Sequence, residues 1–366
     1  MKSRLKLAVI GCGWTAGSQI ERGFSVLADR FDVVAACDTD PRRLEDFAHR
    51  YGIARCETTL PAILAMPDID VVSICTPPNL HCEQVLATLR ADKHAICEKP
   101  FMASLAELDL VEAEEARSGR RVMPIFQYRF GDGIAKVKHV IDNGLAGRAY
   151  VSAIETAWRR GADYYKTAWR GKFATELGGV LLTQSIHMHD LLLYLIGPAQ
   201  AVAGFKTTRV NEVEVEDCAV FSLVMADGSL ASLTATLGSA LQITRLRFCF
   251  ENVTFEKQCE GDAAGRPGDE PWTVIPATAE IGERLAQAMA AVPSRKSGFA
   301  RQFELFAEAL DTGGAFPVTL ADARRSLELV TALFHANENG RVVSLPIPAD
   351  HPKYRGWWPR ARKATA

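Results

Sequence analysis

Residues 178–197 (GGVLLTQSIHMHDLLLYLIG) place three ionisable side chains, His187, His189 and Asp190, in an otherwise apolar stretch with the pattern of a helix. Burying such groups is costly unless they are paired or take part in chemistry, so the stretch indicates a metal site, a structural network or an acid/base group. Positions three or four apart share a helix face, which groups His187 with Asp190 and turns His189 away. A histidine pair two residues apart closes poorly on one metal ion and no third ligand is evident, so we expect no metal. We expect His189 to be a structural histidine whose ring nitrogens are satisfied, and Asp190 to anchor the helix or orient a neighbour.

A second chemical pattern, VIGCGWTAG, lies near the N-terminus and matches the G-x-G-x-x-A turn that binds dinucleotides. Gly11 permits a tight turn, Gly13 lets the backbone approach a pyrophosphate, and the small Ala16 lets the following helix pack closely on the preceding strand. The phosphates are expected at the start of that helix. The predicted contacts in this loop are Gly11, Cys12, Gly13, Trp14, Thr15 and Ala16.

Asp38 ends the second predicted strand, near the position of the acid that binds ribose in such folds. A carboxylate there accepts hydrogen bonds from both ribose hydroxyls and repels a 2′-phosphate, which favours NAD over NADP. Arg42 and Arg43 lie close enough in sequence to accommodate a phosphate, so NADP is the less favoured alternative.

The first 125 residues alternate short apolar strands with helices. Predicted strands cover residues 5–10, 31–37, 70–75, 94–97 and 121–127, and predicted helices cover 18–28, 41–52, 80–89 and 104–118. Short strands that are apolar on both faces and alternate with helices are typical of a parallel sheet covered on both sides. We therefore predict an α/β fold with an N-terminal, doubly wound Rossmann domain at residues 1–125.

The pattern changes at residue 126. A predicted helix (134–142) and strand (148–158) precede a polar, aromatic loop, and five longer strands of alternating polarity follow, two of them joined by the turn ADGS. Helices are predicted at 298–310 and 320–339. Residues 126–366 are therefore predicted to form an α+β domain with a large, mostly antiparallel open sheet, whose uncovered face suggests a homodimer or homotetramer.

The composition excludes several classes of protein. With 366 residues, a net charge of −2 and 48% hydrophobic residues, the chain has the make-up of a globular protein with a large core. The near-neutral charge argues against a nucleic-acid partner. No apolar run is long enough for a membrane helix, and the first residues lack a signal-peptide pattern, so we predict a cytoplasmic protein with no membrane partner.

Two further segments end predicted strands, CTPPNLH at 75–81 and CEKP at 97–100. Ligands of open α/β sheets bind outside the carboxyl ends of the strands, so both segments are expected to face the cofactor. The predicted cofactor contacts here are Thr76, Pro77, Asn79, His81, Glu98 and Lys99.

The glycine loop, the EKP segment and GGVLLTQSIHMHD, in this order and spacing, resemble the Gfo/Idh/MocA oxidoreductases (relatives of glucose–fructose oxidoreductase and inositol dehydrogenase), over nearly the whole chain. The resemblance implies a nicotinamide cofactor, a second-domain sheet often used for oligomerisation, and Lys99 and His187 beside the substrate. The WRG segment at 169–171 resembles relatives in which it lies near cofactor or substrate. Many sugar and inositol dehydrogenases of the family carry aspartate where this chain has Thr183, which puts the proton relay and the substrate class in doubt.

The chemistry implied is oxidation of a secondary alcohol. NAD accepts the hydride, His187 has an intrinsic pKa suited to the hydroxyl proton, and Lys99, with a pKa lowered by partial burial near the nicotinamide, holds the oxygen. Loop residues are expected to select the substrate. The predicted substrate contacts are Lys99, Arg129, Tyr165, Arg170, Thr183 and His187. The predicted cofactor contacts also include Arg42, Gln127, Trp169 and Arg170, so Arg170 belongs to both sets.

The leading prediction is therefore an NAD-dependent dehydrogenase of a sugar, sugar derivative or cyclitol. One alternative is a glycosidase or lyase that uses NAD transiently and releases no net NADH. The other is a regulator that senses the nucleotide without turnover.

Overall fold

The computed structural model describes residues 4–358. In the N-terminal domain, six parallel strands lie in the order β3-β2-β1-β4-β5-β6. The strands are β1 (Leu5–Ile10), β2 (Phe31–Cys37), β3 (Arg55–Glu57), β4 (Val71–Ile74), β5 (His94–Cys97) and β6 (Val122–Pro124). The helices are α1 (Trp14–Gln19), α2 (Pro41–Tyr51), α3 (Leu60–Leu64), α4 (His81–Arg90) and α5 (Leu105–Ser118). This strand order is that of a doubly wound dinucleotide-binding sheet, and it confirms the predicted fold of this half.

The predicted helix at 18–28 differs in detail. The chain becomes helical at Trp14, and α1 continues as a π-helical segment (Ile20–Phe24) and a 3₁₀ turn (Ser25–Leu27). Two short elements with weak sequence patterns, β3 and α3, were not predicted. The start of α2 follows the sequence rules closely, because Pro41 occupies its first turn and the Asp40 carboxylate accepts hydrogen bonds from the backbone N–H groups of Arg42 and Arg43.

The second half forms an eight-stranded sheet in the order β13-β12-β11-β7-β10-β9-β8-β14. Its strands are β7 (Ala149–Arg159), β8 (Ala199–Thr207), β9 (Cys218–Met225), β10 (Leu230–Thr236), β11 (Gly238–Phe250), β12 (Val253–Glu260), β13 (Thr273–Pro276) and β14 (Val343–Ser344). All neighbouring pairs are antiparallel except β7 and β10. The mostly antiparallel sheet is confirmed, as is the hairpin between β9 and β10.

Eight helices accompany this sheet. They are α6 (Asp132–Asp142), α7 (Ala162–Tyr165), α8 (Phe173–Glu176), α9 (Val180–Thr183), α10 (Ile186–Ile196), α11 (Ala279–Ala290), α12 (Gly298–Thr312) and α13 (Leu320–Asn339). Helices α10 and α13 pack on one face of the sheet, while α12 returns to the N-terminal domain, where Phe303 stacks on Phe24 with ring centroids 4.3 Å apart. Of the helices within residues 4–358, none combines the length and apolar character needed to cross a bilayer.

The opposite face of the sheet is uncovered. Along β9 buried and exposed residues alternate, and the exposed positions include Val220 and Val224. Leu230 pairs with Val224 across the β9–β10 hairpin, and Phe205 pairs with Val220 across β8 and β9, so these side chains share one face. We call Phe205, Val220, Val224 and Leu230 the open-face patch.

The segment at 178–197 is two helices instead of one. Helix α9 ends at Thr183, and α10 begins at Ile186. The carbonyl oxygen of Thr183, which a continuous helix would pair with the N–H of residue 187, accepts a hydrogen bond from the Lys99 ammonium group instead. The interruption therefore depends on a residue from the other domain.

Candidate active site

The glycine loop lies between the ends of β1 and β4, where the strand order of the sheet reverses. Gly11 has a φ of 87°, and a Cβ atom there would lie 2.9 Å from the backbone carbon of Cys75. A Cβ atom on Gly13 would meet nothing within 4 Å, so the loop leaves open space beside it. Ala16 is fully buried against the core. These are the properties of a cradle for a pyrophosphate, and they fit the predicted NAD.

Asp38 organises the same loop. Its carboxylate accepts hydrogen bonds of 2.9 Å from the backbone N–H groups of Cys12 and Asp40, and it pairs with the Arg43 guanidinium at 3.3 Å. Asp38 is thus held in place at the end of β2, next to the glycine loop. Of the two arginines predicted to lie near a phosphate, Arg43 reaches Asp38. The side chain of Arg42, which was also placed in the predicted cofactor set, is exposed and forms no hydrogen bond or ion pair with residues 4–358.

Five of the other predicted cofactor residues have accessible side chains. Trp14 and Thr15 begin α1, with 80% of Trp14 exposed, and Thr76, Pro77 and Asn79 follow β4 with partly or fully exposed side chains. These residues are free to contact a bound dinucleotide.

The predicted cofactor residue His81, in contrast, is fully buried. Its two ring nitrogens lie 2.9 Å from the carbonyl oxygens of Thr76 and Pro100. His81 therefore joins the two strand-end segments and positions Lys99, which precedes Pro100, instead of facing open space.

The carboxylate of Glu98 is part of a buried hydrogen-bond network. Its carboxylate accepts a hydrogen bond of 2.7 Å from Gln19, whose side-chain oxygen accepts one of 2.6 Å from Ser73. Burial raises the pKa of Glu98, while the charge of Lys99 and the hydrogen bond from Gln19 oppose that change. Through Gln19, the network links the end of β5 to α1.

Lys99 extends from the end of β5 to the other domain. Its Nζ atom donates a hydrogen bond of 2.7 Å to the carbonyl oxygen of Thr183. Burial lowers the pKa of the ammonium group, Arg170 and Arg160 lower it further, and Glu98 and Glu176 oppose them. An ammonium group has three N–H donors, so two are left for ligands in the cleft.

His187 lies on the first turn of α10. Its ring stacks on Tyr128 with centroids 4.1 Å apart, and its Nδ1 atom is buried without a hydrogen-bond partner. Burial lowers the pKa of His187 well below its usual value, and the charge of Lys99 contributes in the same direction. His187 is therefore neutral at pH 7 and electrostatically coupled to Lys99.

A chain of hydrogen bonds connects Thr183, at the end of α9, with the loop that precedes this helix. The Thr183 hydroxyl lies 2.8 Å from the Gly179 carbonyl oxygen and 2.5 Å from Oε1 of Gln184, so its single proton is used within its own turn. Gln184 donates at 2.8 Å to the Tyr164 hydroxyl, which also accepts from Arg170. Thr183 can thus offer the cleft a lone pair but no proton.

Arg170 is neutralised by a partner that the sequence did not reveal. Its guanidinium pairs with the buried Glu176 carboxylate at 3.1 Å and lies over the rings of Tyr164 and Trp169, 3.9 Å and 4.2 Å from their centroids. Glu176 also accepts a hydrogen bond of 2.5 Å from the backbone N–H of Gly171. Arg170 and Gly171 of the WRG segment are therefore both bonded to Glu176. Tyr165 packs edge-on against Tyr164.

Arg129 is placed differently from the expectation that it contacts substrate. Its guanidinium is buried, donates to both carboxylate oxygens of Asp190 at 2.7 Å and 2.5 Å, and pairs with Asp322 at 3.3 Å. These partners use its donors, so Arg129 anchors α10 to α13. The expectation that Asp190 is an anchor agrees with this geometry. Nearby, the Oε1 atom of Gln127 is buried without a partner.

The expectation that the ring of His189 is satisfied is wrong, because both ring nitrogens of this buried residue lack a hydrogen-bond partner among residues 4–358. Burial lowers the pKa of His189 to about 3, so the ring is neutral and packs as an apolar group. Within this described range, no group of three or more His, Cys, Asp or Glu side chains is arranged to hold a metal ion.

Sequence reasoning missed Glu216, which lies two residues before β9. Its Oε1 atom accepts hydrogen bonds from the N–H groups of Gly179 at 2.9 Å and Leu181 at 3.2 Å. A Cβ atom on Gly179 would lie 1.7 Å from the Glu216 carbonyl oxygen, which explains the glycine. The only signal in the sequence was a pair of acidic residues, Glu216 and Asp217, directly before an apolar strand.

Comparisons with known proteins agree with this geometry. Residues 5–126 match the oxidoreductase family GFO/IDH/MocA, NAD-binding Rossmann fold, and residues 134–256 match the GFO/IDH/MocA C-terminal domain. D-glucoside 3-dehydrogenase of Escherichia coli (strain K12) is 28% identical, over 94% of this chain and 98% of the relative. Myo-inositol 2-dehydrogenase of Thermotoga maritima is 27% identical, over 53% of this chain and 55% of the relative. The solved structure of the WlbA dehydrogenase from Bordetella pertussis, in complex with NADH and UDP-GlcNAcA, gives a TM-score of 0.83 at 25% identity, covering 94% of this chain and all of that one.

Proposed function

Because the chain belongs to the GFO/IDH/MocA oxidoreductase family and carries its NAD-binding Rossmann domain, we propose that it oxidises a secondary hydroxyl group of a sugar, sugar derivative or cyclitol. The observation that carries the proposal is the convergence of Lys99, from the end of a strand of the nucleotide domain, with Thr183 and His187 of the second domain. The named activities of the relatives, a D-glucoside 3-dehydrogenase and a myo-inositol 2-dehydrogenase, support this substrate class.

The nucleotide is held by the glycine loop and Asp38. The open space beside Gly13 accepts the pyrophosphate, and the carboxylate of Asp38 accepts hydrogen bonds from the adenosine ribose. When bound, the nicotinamide ring supplies the acceptor for the hydride. The residues of this chain must then hold the alcohol oxygen and move its proton.

Lys99 holds the substrate oxygen. The bond to the Thr183 carbonyl oxygen fixes the direction of the ammonium group and leaves two N–H donors, one of which points to the substrate hydroxyl in our proposal. A positive charge in a partly desolvated cleft stabilises the alkoxide character that develops as the C–H bond breaks.

His187 accepts the hydroxyl proton. Its lowered pKa keeps the imidazole neutral at pH 7, so it is ready to act as a base without first losing a proton. Since Nδ1 is buried without a partner, Nε2 is the nitrogen that exchanges the proton. Thr183 offers no carboxylate at this point, and its side chain can only accept a hydrogen bond from a ligand.

The same geometry supports a homodimer or homotetramer assembled through the open-face patch, because contiguous apolar side chains on an exposed sheet face are typical of an interface. A cytoplasmic location stays a prediction of the sequence.

Two variants test the catalytic roles. Lys99→Met and His187→Ala are each expected to lower kcat by roughly 10²-fold or more, by analogy with the loss of one stabilising donor or one acid/base group, while NADH still binds. Lys136→Met, in α6, is the matched control and should turn over normally, because the ammonium group of Lys136 pairs with Glu270 and contacts none of the predicted site residues. Near-normal turnover in both active-site variants would contradict the proposal.

A further inference from the structure

Arg160 follows the last residue of β7 and has a fixed position. Its backbone N–H donates to the Leu237 carbonyl oxygen at 3.0 Å. In the side chain, Nη1 donates to Oε1 of Gln242 at 2.6 Å and to the Arg159 carbonyl oxygen at 2.7 Å. All three acceptors are uncharged, so they orient the guanidinium without neutralising it.

This guanidinium has no carboxylate partner among residues 4–358. Its neighbour Arg170 pairs with Glu176, and Lys166 pairs with Asp163. The half-buried Arg160 makes side-chain hydrogen bonds only through Nη1, and burial lowers its pKa, with the charge of Arg170 acting in the same direction. A half-buried cation without a carboxylate partner is less favourable than a paired one, and an anionic ligand would supply the missing charge.

The position of Arg160 joins it to the catalytic cleft. Its guanidinium carbon lies 5.3 Å from the ring centroid of Tyr164, and 5.1 Å from that of Trp158. Its charge is near enough to Lys99 to contribute to the lowered pKa of that ammonium group, for which burial is the main cause. Arg160 also lines a cleft of about 650 Å³ on its other side, whose lining does not include Lys99 or His187. Arg159 and Lys166 line this cleft as well, with Lys166 paired to Asp163, and Glu212 is the acidic residue in the lining.

We propose that Arg160 is an anion-binding residue for the substrate, which is therefore a carbohydrate or cyclitol carrying a carboxylate or phosphate group next to the ring that is oxidised. This inference rests on the proposed function and narrows its substrate class. Arg170 is one of the substrate contacts predicted from the sequence, but its pairing with Glu176 leaves Arg160 as the cation without a carboxylate partner within residues 4–358.

The test compares charged and neutral probes. Binding of D-glucuronate, D-glucose 6-phosphate and D-glucose to the NADH-saturated protein is measured by calorimetry at two salt concentrations. We expect at least one anionic probe to bind more tightly than glucose, with an affinity that falls as salt rises. A preference for glucuronate identifies a carboxylate site, and a preference for the phosphate ester identifies a phosphate site. The absence of any preference for the anionic probes would overturn the proposal.

Variants separate charge from packing. Arg160→Met should weaken the preferred anionic probe by roughly tenfold to a hundredfold, the size expected for a charge-assisted hydrogen bond, without changing the binding of glucose. Arg160→Lys, which keeps the charge, should recover part of the loss, and the exposed Arg341→Met serves as the control. An equal effect of Arg160→Met on all three probes would indicate a structural role and overturn the proposal.

The NADH affinity and melting temperature of each variant verify that it is folded. Failure of this inference can be distinguished from failure of the proposed function. If the protein forms NADH from neutral sugars or cyclitols but not from anionic ones, and Lys99→Met abolishes this activity, the proposed dehydrogenase function stands and the anion site is rejected.

Discussion

The ammonium group of Lys99 donates a hydrogen bond of 2.7 Å to the backbone carbonyl oxygen of Thr183, a contact that spans 84 positions of the sequence and joins the two domains. This contact places the cation at the point where the helix of residues 178–197 is interrupted, one turn before His187. It also explains how Thr183 contributes to the site although its side chain has no carboxylate. The backbone of this residue, and not its hydroxyl, orients Lys99.

A first prediction concerns the alkaline pH limit of the reaction. Burial lowers the pKa of Lys99 below its ordinary value of 10.5. As pH rises through the lowered pKa, the ammonium group loses its charge, so kcat/KM should fall at a pH below 10.5. In Lys99→Arg, the guanidinium stays protonated. That variant should be slower at neutral pH but keep a flat alkaline profile, and an unchanged alkaline limit would argue against the assigned role of Lys99.

Cofactor choice gives a second prediction. Asp38 repels a 2′-phosphate and also engages Arg43 at 3.3 Å. Asp38→Asn should lower kcat/KM with NAD by about tenfold, the effect of losing one charged hydrogen bond, and raise it with NADP because Arg43 is released. The double variant Asp38→Asn/Arg43→Met should lose the gain with NADP. Steady-state kinetics with both cofactors measures the ratio, and the exposed Asp29→Asn is the control. An unaltered ratio in Asp38→Asn would show that another residue selects the cofactor.

The glycine doublet before α9 provides a third prediction. A Cβ atom on Gly179 would lie 1.7 Å from the Glu216 carbonyl oxygen, whereas one on Gly178 would meet its nearest atom, in the Phe334 ring, at 3.2 Å. Gly179→Ala should therefore lower the free energy of unfolding by about 3 kcal/mol, at the upper end for overpacking. Gly178→Ala should cost clearly less. Denaturant unfolding compares the two, and equal losses would contradict the predicted role of the Glu216 contact.

How far the sequence predicts this site depends on the range of the interactions. The glycine loop at 11–16 follows β1 and Asp38 follows β2, as the sequence pattern predicted, because a tight turn and a strand end are determined by residues close in sequence. Five of the six strands of the nucleotide domain were predicted within a few residues for the same reason, and only the short β3 was missed.

Other features depend on partners that are distant in the chain. The break after Thr183 requires Lys99, and the turn at Gly179 requires Glu216, so the apolar pattern of 178–197 alone indicated one continuous helix. Arg129 follows a strand and has the type of a substrate ligand, yet Asp190, 61 positions later, occupies its donors. The case of Arg160 is the reverse, because it is notable only for forming no ion pair with a carboxylate within residues 4–358, which is a property of the packed structure.

A fourth prediction concerns assembly. If the open-face patch is an interface, the double variant Val220→Asp/Leu230→Asp should shift the mass measured by light scattering toward a monomer, since two charges would be buried on association. Val342→Asp alters an exposed side chain on another part of the surface and is the control. A wild-type protein that is monomeric, or an assembly unaffected by the double variant, would contradict the role of this patch.

The most direct measurement is the absorbance of NADH when the protein is mixed with NAD and a panel of sugars, sugar acids, sugar phosphates and cyclitols, with the oxidised product quantified. The account predicts a substrate-dependent rise that matches the ketone formed mole for mole, and that Lys99→Met abolishes. A reaction that consumes a glycoside with no net NADH, or NAD binding without any turnover, would contradict the proposed dehydrogenase activity.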